Sequence, residues 1–311
     1  MNLNKWENKK LAHTYSIVAR DSKTGEMGVA VQSHWFSVGT VVSWGKAGVG
    51  VVATQSLVNI SYGSRGLQLL KEGRTPKEAI DFLLADDEGR EFRQVAILDA
   101  IGNVAVYTGK KCIQEAGHAK GIDYSVQANM MLTNKVWSAM AKTFEKNDDL
   151  PLPERIIEVL SAAEKEGGDI RGKQSAALLI VDGRKTDKKW EDPLIDLRVD
   201  DHQQPLKELS RLLQIYRAYE HMNKGDLAIE HNNMDLALKE YSSAQTLFPN
   251  NIEMKFWTAV SLANNDQLEH SIPIFADIFN QEPNWRLLLE RLVKPKILKI
   301  SFKDLQKILS I

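Results

Sequence analysis

His13-Thr14-Tyr15-Ser16-Ile17-Val18-Ala19-Arg20-Asp21 reads as a β-strand: β-branched and aromatic residues dominate it, and the turn residues Asp21-Ser22-Lys23-Thr24-Gly25 close it. Working outward, Glu26-Met27-Gly28-Val29-Ala30-Val31-Gln32-Ser33 is a second such run and residues 37–44 a third. Residues 49–55, approached through Gly45, Gly48 and Gly50, form a fourth, whose apolar character predicts burial on both faces. Links this short make neighbouring strands antiparallel hairpin partners. The N-terminal two thirds is therefore a protein of stacked sheets. Residues 64–71, 75–85, 134–147 and 153–165 carry helical periods or caps and come as two pairs, each sized to cover one sheet.

Several ordered stretches carry a resemblance. They are Tyr15-Ser16-Ile17-Val18-Ala19-Arg20-Asp21, Ala47-Gly48-Val49-Gly50, Ala53-Thr54-Gln55, Ser61-Tyr62-Gly63-Ser64-Arg65-Gly66, Gly167-Gly168-Asp169, Arg171-Gly172-Lys173-Gln174-Ser175-Ala176-Ala177 and Leu197-Arg198-Val199-Asp200-Asp201-His202. Residues 14–213 thereby resemble an uncharacterised bacterial family, domain of unknown function 1028, described as N-terminal-nucleophile (Ntn) hydrolase-like. The resemblance implies an α+β fold with a four-layer αββα sandwich and, by analogy, hydrolysis of an amide bond by an N-terminal residue. The family's own substrate is unassigned; the expected one is an amide, whether a small metabolite, a peptide or a cell-wall fragment, and no cofactor is expected.

Thr14 is the residue on which that analogy turns. A threonine hydroxyl inside a chain is a weak nucleophile, but a freed α-amine, with a pKa near 8, supplies an adjacent base. One cleavage before Thr14 creates both groups. Many relatives begin near this position or carry a secretory signal ending there, whereas here residues 1–13 precede it, without an apolar core or an Ala-x-Ala site. Exposure of Thr14 then depends on autocleavage or on another protease. The other reading of Thr14 is an ordinary strand threonine.

Further candidates surround it in the argument. Ser16 shares a strand face with Thr14 and is a proton-relay partner or a sheet residue. Lys46 follows a predicted strand, a placement similar to the lysine that lowers the hydroxyl pKa in proteasome-like enzymes; it is equally a turn residue. Asn129, in Gln127-Ala128-Asn129 at a strand end, is an oxyanion-hole candidate or a turn-closing asparagine. The loop Asp169-Ile170-Arg171-Gly172-Lys173-Gln174-Ser175 reads as a substrate-binding loop through Asp169, Arg171, Gln174 and Ser175, with Arg171 either an anion clamp or a salt-bridge partner of Asp169.

Composition excludes other classes. Lys and Arg total 40 against 41 Asp and Glu, and no basic cluster interleaves with aromatics, so nucleic acid is not an expected partner. No apolar stretch reaches spanning length, and a membrane is not expected either. The single cysteine, Cys112, rules out a disulfide framework, and the seven histidines lack metal-site spacing, so no metal is expected. Cys112 with His118 is a candidate dyad, the other reading being a lone buried cysteine. One cysteine and no leader make the cytoplasm the expected compartment.

After Pro205 the β-type runs stop. A shift of 34 residues aligns Ala237 with Ser271, Leu238 with Ile272, Tyr241 with Phe275, Ala244 with Ile278, Pro249 with Pro283 and Asn250 with Asn284. That is the period of tetratricopeptide repeats, and Gly225 stands where their first helix keeps a small residue. The expected organisation is an extension over 1–13, the sandwich over 14–202 and a helical tetratricopeptide-like domain over 203–311. Such arrays bind peptides or proteins, so a protein or cell-wall (peptidoglycan) ligand is expected there, with a homo-oligomer as the competing role.

Overall fold

β-Branched residues at positions 14–20 give a strand that hydrogen-bonds on both sides, and the rest of the architecture is arranged around it. The structure, a computed structural model, describes residues 10–12 and 14–311. Of the expected extension over 1–13, only the three-residue strand β1 (Lys10–Ala12) falls within the described residues. There follow β2 (Thr14–Arg20), β3 (Met27–Ser33), a short helix α1 (Gly39–Val42), β4 (Ser43–Lys46), β5 (Gly50–Val58), α2 (Ser61–Lys71) and α3 (Pro76–Ala85). Then come β6 (Arg93–Asp99), β7 (Val104–Thr108), β8 (Gly117–Gly121), β9 (Tyr124–Ala128), α4 (Val136–Lys146), α5 (Leu152–Lys165), β10 (Ser175–Val181) and β11 (Ile195–Val199).

The strands form two antiparallel sheets. One has the order β1-β5-β6-β7, with β4 also on β5; the other runs β11-β10-β3-β2-β9-β8. β4 covers the start of β5, through Gly50 to Ala53, and β1 covers its end, through Ser56 to Val58. α2 and α3 pack on β5, β6 and β7, whereas α4 and α5 pack on β2, β3, β8 and β9. Between the sheets lie small apolar side chains, among them Val18, Val29, Val31, Val51, Ala53, Ala96, Leu98, Ala177 and Leu179. Side chains of this size let two sheets approach closely, and removing their surface from water is the main stabilising term.

One expected element is corrected. Residues 37–44 do not form a strand; they make α1 and then enter β4. Val38, Val41 and Val42 are all buried, at i, i+3 and i+4, which is a helical spacing that a strand would split between two faces. Gly39 lies so close to β10 that a Cβ there would be 2.4 Å from the Cβ of Ala177. Only glycine permits that approach. The Val38 N–H donates to Ser175 Oγ, and Ser37 turns the chain with a φ of 54°.

The chain divides into two compact units, the first ending at Arg211 and the second running Leu212–Ile311. The boundary falls inside α6 (Pro205–Glu230), which is followed by α7 (Met234–Leu247), α8 (Ile252–Asn264), α9 (Leu268–Gln281), α10 (Asn284–Arg291) and α11 (Phe302–Leu309). Asn233 and Asn251 cap α7 and α8 by accepting from the Leu236 and Met254 N–H groups. Tyr241 and Phe275 are buried, as are Ala237 with Ser271 and Ala244 with Ile278, three of the pairs that the 34-residue shift aligns. Gly225 faces the Tyr241 ring, where a Cβ would come within 2.4 Å of it. Among the described residues no helix is long and apolar enough to cross a membrane.

Candidate functional site

Alternation along β2 points Thr14, Ser16 and Val18 toward the other sheet and Tyr15 and Ile17 toward α5. At the Thr14 end the layer between the sheets changes character from valine and alanine to amides and hydroxyls. Gln55, Gln94, Gln127, Asn129, Ser16, Ser125 and Thr14 are all fully buried there. Ser16 Oγ donates to Gln55 Oε1 at 2.6 Å and accepts from Gln127 Nε2 at 2.6 Å. Gln94 Oε1 accepts from Gln55 Nε2 at 2.6 Å and from Asn129 Nδ2 at 3.0 Å, while its own Nε2 donates to Thr108 Oγ1 and to the Gly117 and Ala128 carbonyls. Buried amides are costly unless satisfied, and here each finds partners within the cluster.

The Thr14 backbone is the point on which this network closes. Its carbonyl accepts from the Asn129 N–H at 3.1 Å, from Gln55 Nε2 at 3.2 Å and, at 3.4 Å, from Asn129 Nδ2. Across the sheet Thr14 pairs with Ser33, which pairs in turn with Ser175, so three hydroxyl residues stand in register on β2, β3 and β10. Two non-glycine residues in the left-handed region flank the network: Ser56, φ 72°, follows Gln55, and Met130, φ 61°, follows Asn129. Such positions cost about 1–3 kcal/mol each and concentrate at functional sites. Ala12 pairs with Ser56 in the first sheet and Thr14 with Ser33 in the second.

The sequence-predicted residues separate in space. Thr14, Ser16 and Asn129 come together. Lys46 does not: it is exposed and pairs with Gly50, whereas the amide cluster sits at Gln55, about 17 Å further along β5 at the usual strand rise. The reason is that β4 is short and covers the other end of β5, which makes Lys46 the last strand residue before the turn to β5. Ser175 is in the hydroxyl row, but its Oγ accepts from the Val38 N–H and donates to the Trp35 carbonyl, so it holds the turn before α1. Gln174 lies beside it, with its N–H on the Ser33 carbonyl and its Nε2 3.2 Å from Asp201 Oδ1.

Asp169 and Arg171 rim the same end. The Asp169 side chain is fully buried and accepts from the His34 N–H and the Arg171 N–H, while Arg171 Nε and Nη2 grip it at 3.0 and 2.7 Å. Arg171 is thus a bidentate partner of Asp169 that fixes the loop. On the helix side, Tyr15 Oη donates to Glu164 at 2.8 Å, Lys173 pairs with the same carboxylate at 2.9 Å, and Gln32 contacts Tyr15. Burial, and then the Glu164 carboxylate, push the Tyr15 phenol well above its ordinary value, so it remains a donor.

Sequence reasoning missed Gln55, Gln94 and Gln127 as a group, although each is a polar residue at an inward position of an otherwise apolar strand. Around them titratable groups are few. His118 Nδ1 lies 2.8 Å from Thr108 Oγ1 at the outer end of the network, and desolvation, then Lys120, lower its pKa from 6.5. Cys112 is not its partner: the Sγ donates to the Arg93 carbonyl, and burial raises the thiol pKa, which disfavours thiolate. Among the described residues no group of three His, Cys, Asp or Glu side chains is placed to hold a metal.

Fold and site define an α+β protein of two antiparallel sheets with a buried polar cluster at one end and a helical C-terminal region. Residues 14–209 match the model of a family of unknown function, DUF1028, and the chain belongs to that family, as its motifs predict. It is similar to the crystal structure of protein SPO2555 from Silicibacter pomeroyi, a DUF1028 protein, with 31% sequence identity and a TM-score of 0.59 over 65% of this chain and 85% of that one. No curated protein matches the chain.

Proposed function

We propose that the first unit is an Ntn-type amide hydrolase whose nucleophile, Thr14, is released by cleavage of the bond before it. The observation that carries this reading is the setting of Thr14: fully buried at the start of β2, among neutral hydrogen-bonding side chains, with left-handed backbone at Ser56 and Met130 beside them. In the release step Thr14 Oγ1 attacks the carbonyl carbon of residue 13. The acyl group passes from the Thr14 nitrogen to Oγ1, so the C–N bond breaks as the ester forms and the nitrogen takes up the hydroxyl proton as a free α-amine; water then hydrolyses the ester to a carboxylate and the regenerated Thr14 hydroxyl. In turnover the hydroxyl attacks the substrate amide, the α-amine takes its proton and returns it to the leaving amine, and a second water cleaves the acyl ester. With Lys46 remote, the α-amine is the base. Asn129 and Gln55 donate N–H bonds to the Thr14 carbonyl and so hold the nucleophile in place; the charge of each step develops on the oxygen of the attacked carbonyl, which a neutral N–H donor would stabilise.

The helical unit is read as tetratricopeptide-like, a partner-binding arm, supported by the buried equivalents 34 residues apart and by Gly225 against Tyr241. Intact mass and N-terminal sequencing of the purified full chain test the enzymatic reading. The expected product begins at Thr14, and Thr14→Ala abolishes its formation. If the chain stays whole, and a protein made to begin at Thr14 turns over no acyl amino acid, dipeptide or cell-wall stem peptide, the unit is a non-catalytic binding module.

A further inference from the structure

The helical unit holds a cavity of about 360 Å³, within the range of small-ligand pockets. One wall is apolar: the half-buried indole of Trp257 with Ile229, Val260 and Ile297. The other carries two carboxylates, Asp226 and Glu230, one turn apart on α6. Asp226 Oδ1 accepts from Tyr241 Oη at 2.6 Å, which fixes that carboxylate. Glu230 has no hydrogen bond or ion pair among the described residues. Both acids lie in the last two turns of α6, whose final turn contains no basic residue, so the negative end of the helix dipole adds to their field. No cation is among the described residues that line the cavity.

An apolar slot with an aromatic face, ending in two carboxylates and a helix C-terminus, is complementary to a cation on an alkyl stem. We propose that this cavity binds a basic side chain of a partner polypeptide, its stem against Trp257 and its charged head between Asp226 and Glu230. The inference deepens the partner-binding reading of the helical unit and is independent of Thr14 release.

The test is a calorimetric titration of the full chain, at low salt, with the capped pentapeptide Ala-Ala-Lys-Ala-Ala and with the same peptide carrying norleucine in place of lysine. The lysine peptide is expected to bind at least tenfold more tightly, and Glu230→Gln, an exposed change that leaves the fold intact, to erase most of that difference. Equal affinity of the two peptides, or an unchanged preference in Glu230→Gln, overturns the cation site. Equal affinity that is lost when Tyr241→Asp unfolds the helices overturns the cation site but keeps partner binding. Absence of binding by either peptide at millimolar concentration overturns both, and n-butylammonium binding as tightly as the peptide assigns the cavity to a free amine and overturns the polypeptide occupant.

Discussion

Gln94 joins the two sheets through one side chain, bonding to residues of β5, β7, β8 and β9 and to Asn129. Replacing it with leucine keeps the volume but takes the shorter acceptor from the Gln55 and Asn129 amides, leaving them the longer bonds to the Thr14 carbonyl, and strips the Ala128 and Gly117 carbonyls of their side-chain donor. At about 1–3 kcal/mol for each orphaned buried group, Gln94→Leu should cost about 2–4 kcal/mol, read as a lower urea midpoint at constant slope. A second buried cluster sets a pH dependence. Arg93 Nε donates to Asp87 at 2.8 Å, and Tyr62 Oη donates to the same carboxylate at 2.7 Å. Burial alone would raise the Asp87 pKa, but the bonds from Arg93, Tyr62 and the Gly89 N–H outweigh it and hold the carboxyl well below its usual range. Its folded pKa is therefore below its unfolded one, so this contribution to stability is complete above the ordinary carboxylate pKa of 3.8 and declines as pH falls beneath it. Arg93→Met should cost about 3–5 kcal/mol at neutral pH by stranding Asp87, and the added change Asp87→Leu should recover most of it; equal melting of the single and double variants would refute the pairing.

Elements formed where local chemistry and packing agree. α3 begins in a capping box: Thr75 accepts from the Glu78 N–H, and the Glu78 carboxylate accepts from the Thr75 N–H at 2.8 Å. Thr75→Ala should therefore lower stability by about 1 kcal/mol, seen as a small drop in melting temperature. α1 is the opposite case, since its residues have high β propensity and the helix exists because Val38, Val41 and Val42 share one buried face against the sheets. In the helical unit, Gly225→Leu should destabilise by about 1–3 kcal/mol, because the new side chain collides with Tyr241; a helical circular-dichroism melt that does not move would show that the ring has room to swing away.

At the scale of the molecule, two compact units predict two separable stabilities. Tyr241→Asp buries a charge in the second unit and should melt the helices while leaving the sheets folded, so limited proteolysis should yield a resistant fragment that ends near Arg211. Loss of both signals in one transition would mean that the units fold as one.

Strands β2, β3, β5 and β10, helices α2 to α5 and the helical character of the region after Pro205 were legible from period and caps, because those properties are local. Tyr241 and Phe275, which the 34-residue shift aligns, are both buried, as large apolar residues of helices tend to be. Thr14, Ser16 and Asn129 could be named from the strand ends they occupy, but their meeting with Gln55, Gln94 and Gln127 depends on sheet pairing between residues far apart in the chain. The same pairing removed Lys46, which local pattern could not place at one end of β5 or the other. It also turned residues 38–42 into a helix, because burial against two sheets outweighs β propensity. Local pattern thus determined which segments are strands and helices; the register and facing of the sheets, set by long-range hydrogen bonds and close packing, decided which polar side chains share one buried site.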